Sequence, residues 1–159
     1  MLTTQYPPVP ESYCDYNGHL NEGYYLVMLS LATDTILDAA GLNEEDRAKH
    51  QFSAFTVQNN LRYFKEVRQG QKVVAHSHLL SSDKKRLRIW HELRNVEGTE
   101  TLAAIECLLV GVDMKTRHSA AWPEEIRLAI QTLQTRHARY EWPKGAGNSI
   151  AMPEKGCSA

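Results

Sequence analysis

The feature that most constrains the fold is an apolar run between Asn21 and Gly41. Its apolar side chains recur every three or four residues, which is the spacing of one helix face, and others widen that stripe. Asn21 is a good N-cap, Glu22 complements the positive end of the helix dipole, and Gly41 suits the position just after the helix. The pattern predicts a helix that starts at Glu22 and is buried on most sides, so other elements must cover it.

Strand-like segments supply that cover. Four runs after the helix have strand patterns and are separated by short turns, at residues 55–63, 72–80, 86–94 and 101–112. The short turns predict an antiparallel meander. A short edge strand is expected at Val9–Tyr13, and a final helix begins with Pro123 as its first residue. We therefore predict an α+β fold in which an antiparallel five-stranded sheet wraps around a long central helix, with a C-terminal helix at the periphery.

Composition limits the partners and the compartment. The chain has 159 residues and a net charge of −1, which suits one domain over residues 1–142 and gives no basic field for nucleic acid. Residues 143–159 are rich in Gly, Ala, Pro and Ser and are expected to form a loosely ordered tail. Three cysteines lack paired spacing, and neither a membrane span nor a signal-peptide pattern is visible, so we expect a cytoplasmic protein without a membrane partner. Scattered histidines predict no metal site, and no cofactor is expected.

A polar segment just before the helix carries the clearest sign of chemistry. Asp15 precedes an Asn17-Gly18 turn, and His19 and Asn21 lead into the helix. A carboxylate can act as a base or a nucleophile, and the free N–H groups of a helix start can stabilise a developing oxyanion. On the residues alone, an Asx-turn at Asp15 is the simpler interpretation.

The pattern Asp15-x-x-Gly18-His19-x-Asn21-x-x-x-Tyr25, ahead of an apolar helix, resembles the hotdog-fold acyl-CoA thioesterases of the 4-hydroxybenzoyl-CoA thioesterase type. The segment Val112-Asp113-x-x-Thr116-Arg117 is also similar to that family, and the match runs from about Val9 to Leu133. A narrower group, the thioesterase domain fused to or beside L-carnitine dehydrogenase, is similar in four further segments: Asp15–His19, Ala32–Asp34, Asp83–Leu87 and Gly145–Gly147. That group is associated with hydrolysis of betainyl-CoA.

The resemblance implies a thioester hydrolase that acts on a small acyl-CoA, with betainyl-CoA as the narrower expectation. Asp15 would activate water or attack the carbonyl directly, and the sequence leaves both routes open. Backbone N–H groups at Glu22, Gly23 and Tyr24 would hold the oxyanion. His19 would position the loop or the substrate, and Asn21 would cap the helix. Asp34 is a competing carboxylate, whose alternative role is a buried hydrogen bond between helix and sheet.

Substrate and CoA contacts follow from the same resemblance. The residues expected to contact substrate are Asn17, Tyr24, Tyr25, Gln58, Asn60 and Trp90. A quaternary ammonium has no proton to donate, so aromatic faces should recognise it, and Tyr24, Tyr25, Trp90 and Trp122 are candidates unless they simply fill the core. Cations for the CoA phosphates are Lys84, Lys85, Arg86 and Arg117, although charged turns are often only solvated surface.

The family further implies a homo-oligomer, a dimer or a tetramer, with the site at the subunit interface. Two alternatives stay open. One is a thioesterase for another short or aromatic acyl-CoA. The other is a non-catalytic acyl-CoA-binding hotdog protein, because a fold alone does not fix an activity.

Overall fold

The computed structural model describes residues 1–150, in which one antiparallel sheet carries a long helix across one face. The strands are β1 (Leu2–Gln5), β2 (Phe52–Tyr63), β3 (Val73–Ser82), β4 (Arg86–Asn95) and β5 (Thr101–Asp113). The helices are α1 (Glu22–Ala39), α2 (Glu44–His50) and α3 (Glu124–His137), and a 3-10 turn spans Glu11–Tyr13. The predicted α+β architecture is confirmed, with α1 as the central helix.

Helix α1 begins and ends as its sequence predicts, but only one of its faces is covered. The Asn21 side chain accepts a hydrogen bond from the Gly23 N–H, and Gly41 adopts a left-handed φ of 75° just after the helix. On the opposite face from the sheet, Leu26, Val27 and Leu31 are 39–50% exposed. The expectation of burial on most sides is therefore wrong for a single chain, because the helix packs on one side, mainly against β1, β3 and β4.

Two further observations concern the same helix. Asp34 lies on its exposed face, so the buried hydrogen bond considered for this carboxylate is wrong. Within residues 1–150, no single helix is long and apolar enough to cross a membrane; α1 and α2, bent by 61°, meet that test only together and by length and composition.

The strand order corrects the predicted meander. The sheet runs β1-β3-β4-β5-β2, so β3, β4 and β5 form the expected hairpins, while β2 pairs with β5 rather than with β3. The connection from β2 to β3 crosses the start of α1, where Val67 is fully buried and its carbonyl accepts from the Leu20 N–H. The turn at Gly70 is real, but it ends a crossover instead of a hairpin.

The first strand and the start of α3 also differ from expectation. Strand β1 is short and lies at a sheet edge, as predicted, but it occupies Leu2–Gln5 rather than Val9–Tyr13. Pro10 has no N–H to donate to a ladder, and Val9 bonds instead to Gln71 and Gly70 in the crossover. Pro123 is the N-cap of α3, not its first residue.

A buried polar layer joins α1 to the sheet. The imidazole of His91 on β4 is fully enclosed and bonds Ser77 at 2.7 Å through Nδ1 and Thr33 at 3.1 Å through Nε2. Burial lowers the pKa of His91 to about 3, so the ring is neutral at physiological pH. Because both ring nitrogens have partners, this layer fixes one position of the helix against the sheet.

The last described residues are attached to the outer face of the sheet, the one away from α1. Arg62 on β2 donates to the carbonyls of Gly145 and Asn148, and the Gly147 N–H donates to the Glu106 carboxylate at 2.6 Å. Ala146 packs against a small cluster formed by Leu80, Trp90 and Ala104. We name residues 143–150 the C-terminal strap. The strap is therefore the part of the expected tail that contacts the sheet, whereas residues 151–159 lie outside the described chain.

Candidate active site

Asp15 closes a tight turn that leaves part of its carboxylate free. Its Oδ1 accepts from the N–H groups of Asn17 at 2.8 Å and His19 at 3.3 Å, and Gly18 supplies a φ of 76°. The Asx-turn interpretation is thus confirmed. Within residues 1–150, Oδ2 has no hydrogen-bond donor, so the turn holds the carboxylate in place without consuming it. Asn17, which was expected to contact substrate, contributes its backbone N–H to this turn.

His19 is held by a carboxylate that the sequence reading missed. Its Nε2 lies 3.1 Å from Oε2 of Glu66, and Oε1 of Glu66 lies 2.7 Å from the Arg68 guanidinium. The Arg68 hydrogen bond, followed by the charge of His19, holds the pKa of Glu66 below its usual value. Glu66 lies in the crossover, and its sign in the sequence was two charged residues flanking the apolar Val67.

The first turn of α1 contains one uncommitted N–H among the three expected oxyanion donors. The Gly23 N–H donates to the Asn21 side chain at 3.0 Å, and the Tyr24 N–H donates to the Asn21 carbonyl at 2.9 Å. In the described part of the chain, the Glu22 N–H has no acceptor. A Cβ at Gly23 would meet only the Asn21 Oδ1, at 3.4 Å, so the space before this turn is open. Of the three, the backbone N–H of Glu22 is therefore the one that is free to donate to an incoming oxygen.

Tyrosines connect this turn to the crossover. The buried Tyr25 hydroxyl accepts from the Val67 N–H at 3.1 Å and donates to the Lys65 carbonyl at 3.3 Å. Tyr63, at the end of β2, donates its hydroxyl proton to the Glu22 carbonyl at 3.2 Å. Tyr24 stacks on Tyr13 with ring centroids 4.1 Å apart. Asp15, Glu22, Tyr63 and Glu66 thus lie around the start of α1, and we name this region the acidic end of the sheet.

Three of the expected substrate contacts lie elsewhere in the same chain. Gln58 and Asn60 share a strand face, as predicted, but Asn60 is paired with Glu106 and both line a cavity of about 320 Å³ beneath the C-terminal strap. Trp90 is 3% exposed on that outer face, with the Arg62 guanidinium 5.7 Å from its ring centre. The sheet therefore separates these three residues from Asp15 within one chain.

The predicted CoA cations lie at the opposite end of the strands. Lys84, Lys85 and Arg86 occupy the β3–β4 hairpin, and Arg117 follows β5 beyond Asp113. Strand β4 separates them from the acidic end by ~30 Å, at about 3.3 Å per residue. We name this region the basic end. Its charges are partly committed, since Arg86 bonds Asp83 at 2.6 Å and lowers the pKa of that carboxyl to about 2.

Other cations at the basic end remain open to a ligand. Lys84 lines a groove of about 580 Å³ between the hairpin and α3, with Trp122 and Arg127. Lys85 reaches the Ser119 hydroxyl at 3.2 Å. The Arg117 guanidinium lies 5.2 Å from the ring centre of Phe55, at a backbone φ of 63°. Across residues 1–150, no group of three or more His, Cys, Asp or Glu side chains could hold a metal ion.

Similar proteins identify the family of this chain. The model of the thioesterase-like superfamily matches residues 9–130, and the chain belongs to that family. A betainyl-CoA thioesterase of Pseudomonas aeruginosa is 34% identical over 153 residues, which cover 96% of each chain. An L-carnitine dehydrogenase/betainyl-CoA thioesterase of Agrobacterium fabrum is 38% identical over 136 residues, but the match spans only 28% of that longer protein.

Solved structures agree with this assignment. A Pseudomonas putida KT2440 protein described as a candidate thioesterase superimposes with a TM-score of 0.79, at 31% identity and with 96% of this chain and 95% of that one covered. Protein SAV2348 of Staphylococcus aureus, solved in complex with CoA, gives a TM-score of 0.87 at 24% identity, covering 95% and 94% of the two chains. The second likeness concerns the fold, which is the hotdog arrangement of one helix within a curved sheet.

Proposed function

We propose that this protein hydrolyses a small acyl-CoA thioester, and that betainyl-CoA is its substrate, giving betaine and CoA. The proposal is supported by membership of the thioesterase-like family and by near full-length identity with the Pseudomonas aeruginosa enzyme. The observation that carries it is that the acidic end holds both a partly free Asp15 carboxylate and the uncommitted Glu22 N–H.

The chemistry assigned to these groups follows from their positions. The Glu22 N–H would donate a hydrogen bond to the thioester carbonyl oxygen, where negative charge builds up in the transition state and the helix dipole favours it. Asp15 would then activate a water molecule or attack the carbonyl carbon itself. His19, held by Glu66, would keep the Asp15 turn and the crossover in register.

We propose that the active unit is a dimer, which can associate further into a tetramer. The outer edge of β2 has no partner strand within residues 1–150, and it carries exposed Phe55 and Val57. The uncovered face of α1 adds exposed Leu26, Val27 and Leu31. An unpaired edge strand and an uncovered apolar helix face each favour association with a second copy.

Antiparallel pairing of two β2 strands would also complete the site. A twofold axis across β2 reverses the second copy, so its basic end comes beside the acidic end of the first. Lys84, Lys85 and Arg117 of the second copy would then hold the CoA phosphates while Asp15 of the first acts on the thioester. This arrangement removes the ~30 Å gap that strand β4 imposes within one chain.

The proposal is tested by measuring thiol release from a panel of acyl-CoA esters. Betainyl-CoA is compared with acetyl-CoA, a longer aliphatic acyl-CoA and benzoyl-CoA, with the Asp15→Asn variant beside the wild type. We expect release of thiol that is fastest with betainyl-CoA and is lost in the variant. Faster turnover of benzoyl-CoA would show that betainyl-CoA is not the preferred substrate, while the proposed thioester hydrolysis would stand.

A non-catalytic acyl-CoA binder is the contrasting outcome. Such a protein would bind betainyl-CoA in calorimetry and release no thiol from any ester. Light scattering of the same samples gives the mass in solution, and a monomer that turns over substrate would contradict the dimeric site.

A further inference from the structure

Tyr63 is an exposed aromatic side chain whose orientation is fixed beside the proposed oxyanion donor. Its hydroxyl bonds the Glu22 carbonyl, and its ring meets Tyr25 edge-on with centroids 5.2 Å apart at 84°. Half of Tyr63 nevertheless remains exposed, at 50%. The Glu22 side chain is also exposed, and it belongs to the residue whose carbonyl the Tyr63 hydroxyl bonds at 3.2 Å. Partial burial, and then the charge of Glu22, raise the pKa of Tyr63.

The chemistry of the proposed substrate limits where its cation can be recognised. In a betainyl thioester, one methylene separates the quaternary nitrogen from the carbonyl carbon. Groups that contact the cation must therefore lie beside the N–H that holds the carbonyl oxygen. A trimethylammonium group donates no hydrogen bond, so recognition requires aromatic surface and negative charge.

Most aromatic side chains considered for this role are already committed. Trp90 lies on the outer sheet face under the C-terminal strap, and Trp122 is buried against Phe52 with its indole N–H bonded to the Asp83 carbonyl. Tyr24 has one ring face stacked on Tyr13. Tyr25 is 4% exposed, and its hydroxyl makes two hydrogen bonds.

The charges around Tyr63 also favour a cation. Lys65 is paired with Glu100, and Arg68 is paired with Glu66, so both nearby cations are neutralised by carboxylates. Asp15 and Glu22 are not among the ion pairs of the described residues. The acidic end therefore presents negative charge to an incoming acyl group.

We infer that the Glu22 carboxylate and the Tyr63 ring form the subsite that selects a quaternary-ammonium acyl group at the α1 start. The inference rests on the proposed function and deepens it, because it assigns acyl selectivity to a residue pair distinct from the group that performs the hydrolysis. The backbone of Glu22 holds the oxygen, its carboxylate attracts the cation, and Tyr63 offers the polarisable face.

The test compares betainyl-CoA with its uncharged isostere 3,3-dimethylbutanoyl-CoA, in which a tert-butyl group replaces trimethylammonium. We expect the ratio of kcat/KM for the two esters to fall about tenfold in Glu22→Gln and in Tyr63→Leu, the range typical of a cation held by one ring or one carboxylate. Tyr63→Phe keeps the ring and should keep most of the ratio. Glu44→Gln, an exposed acid in the first turn of α2, is the matched control and should leave the ratio at the wild-type value.

The outcomes separate this inference from the proposed function. Equal losses on both esters in Glu22→Gln and Tyr63→Leu would assign these residues a structural role and overturn the subsite. A wild-type enzyme that hydrolyses both esters equally well would overturn the subsite while the thioesterase stands. Failure of the wild type to release thiol from any ester would overturn both.

Discussion

The two ends of the sheet differ in how their charges are used. At the acidic end, Asp15 and Glu22 make no ion pair within residues 1–150, although the Asp15 carboxylate is held by two backbone N–H groups. At the basic end, Arg86 is tied to Asp83, while Lys84 and Arg117 border open surface. In the proposed enzyme, one end is arranged around the reacting atom, and the other offers a looser set of cations to an extended anion.

If the proposed function holds, the difference teaches that a single chain holds both halves of the site without joining them. Strand β4 keeps the halves ~30 Å apart, and the unpaired edge of β2 is the element through which a second copy could bring them together. The two ends should then respond differently to substitution: the acidic end through kcat, and the basic end through KM.

Asp15→Asn should have the largest effect of any single change. Removing the base or nucleophile is expected to lower kcat by about a thousandfold, because the oxyanion donor alone retains limited catalysis. Thiol release under saturating substrate measures the loss. Asp38→Asn, an exposed carboxylate near the other end of α1, is the control and should keep wild-type turnover. Comparable activity of the two variants would remove Asp15 from the reaction.

Mixing two impaired variants tests whether the ends combine across copies. The double variant Lys84→Ala/Arg117→Ala should lose about a hundredfold in kcat/KM, as expected for two lost phosphate contacts. Exchange of subunits with Asp15→Asn should restore roughly a quarter of wild-type activity, because random pairing gives one intact site in half of the dimers.

The control for this experiment is Asp15→Asn mixed with wild type, where activity follows the share of intact Asp15 residues. No recovery in the mixture of variants, despite subunit exchange shown by a tagged copy, would place both ends of a site in the same chain.

Acid should weaken the buried polar layer that His91 forms with Ser77 and Thr33 between α1 and the sheet. The folded-state pKa of His91, about 3, lies below the unfolded value of 6.5, so the unfolded chain binds the proton first as the pH falls. The stabilising contribution of the neutral His91 ring is full above pH ~6.5 and is lost progressively towards pH ~3. The free energy of unfolding should therefore fall by about 2 kcal/mol between pH 7 and pH 5. Burial likewise lowers the pKa of His137 to about 4, which acts in the same direction.

Urea unfolding at pH 7 and pH 5 measures this change. His91→Gln should lower stability at pH 7, because it disturbs the bonds to Ser77 and Thr33, but it should flatten the pH dependence. The exposed His118→Gln is the matched control and should keep the wild-type slope. An unchanged slope in His91→Gln would show that other groups bind the protons.

The smallest effect is expected at the C-terminal strap. Gly145 has a φ of 96°, and an added Cβ would lie 2.6 Å from the Arg62 guanidinium. Gly145→Ala should cost about 1–2 kcal/mol, from the left-handed backbone and from displacement of Arg62. Gly98 has a φ of 69°, and an added Cβ there would meet no atom within 4 Å. Gly98→Ala therefore measures the backbone contribution to the loss of stability alone. Equal losses of thermal stability in the two variants would argue against tight docking of the strap.

Sequence patterns predicted the local elements more reliably than their arrangement. The Asn21 cap, the Gly41 stop and the β3–β4 and β4–β5 hairpins depend on neighbouring residues and were found where expected. The place of β2 depends on a crossover anchored by the buried Val67, a single apolar residue between two charged ones. That pattern does not show which strand β2 pairs with. The alternation of side chains along the strand likewise predicted that Gln58 and Asn60 share a face, but it did not predict that this face lies away from α1.

The candidate site was predicted to a similar depth. Asp15, His19 and the start of α1 follow from a short contiguous segment, and the structure places them together. Glu66 and Tyr63 reach the same place from the crossover and from the end of β2, so only the three-dimensional fold could add them. The Glu22 N–H is the proposed oxyanion donor because Asn21 already occupies the N–H groups of Gly23 and Tyr24, which only the structure shows.

The C-terminal strap, together with Trp142 just before it, gives the protein an optical reporter of its own. The chain has three tryptophans, and Trp90 and Trp122 are 3% and 5% exposed, whereas Trp142 is 55% exposed and lies 5.3 Å from the Arg88 guanidinium. Fluorescence quenched by a water-soluble quencher would come mainly from Trp142, while the protected emission would come from the other two. Release of the strap would uncover Trp90, so the quenchable fraction would rise before the core unfolds.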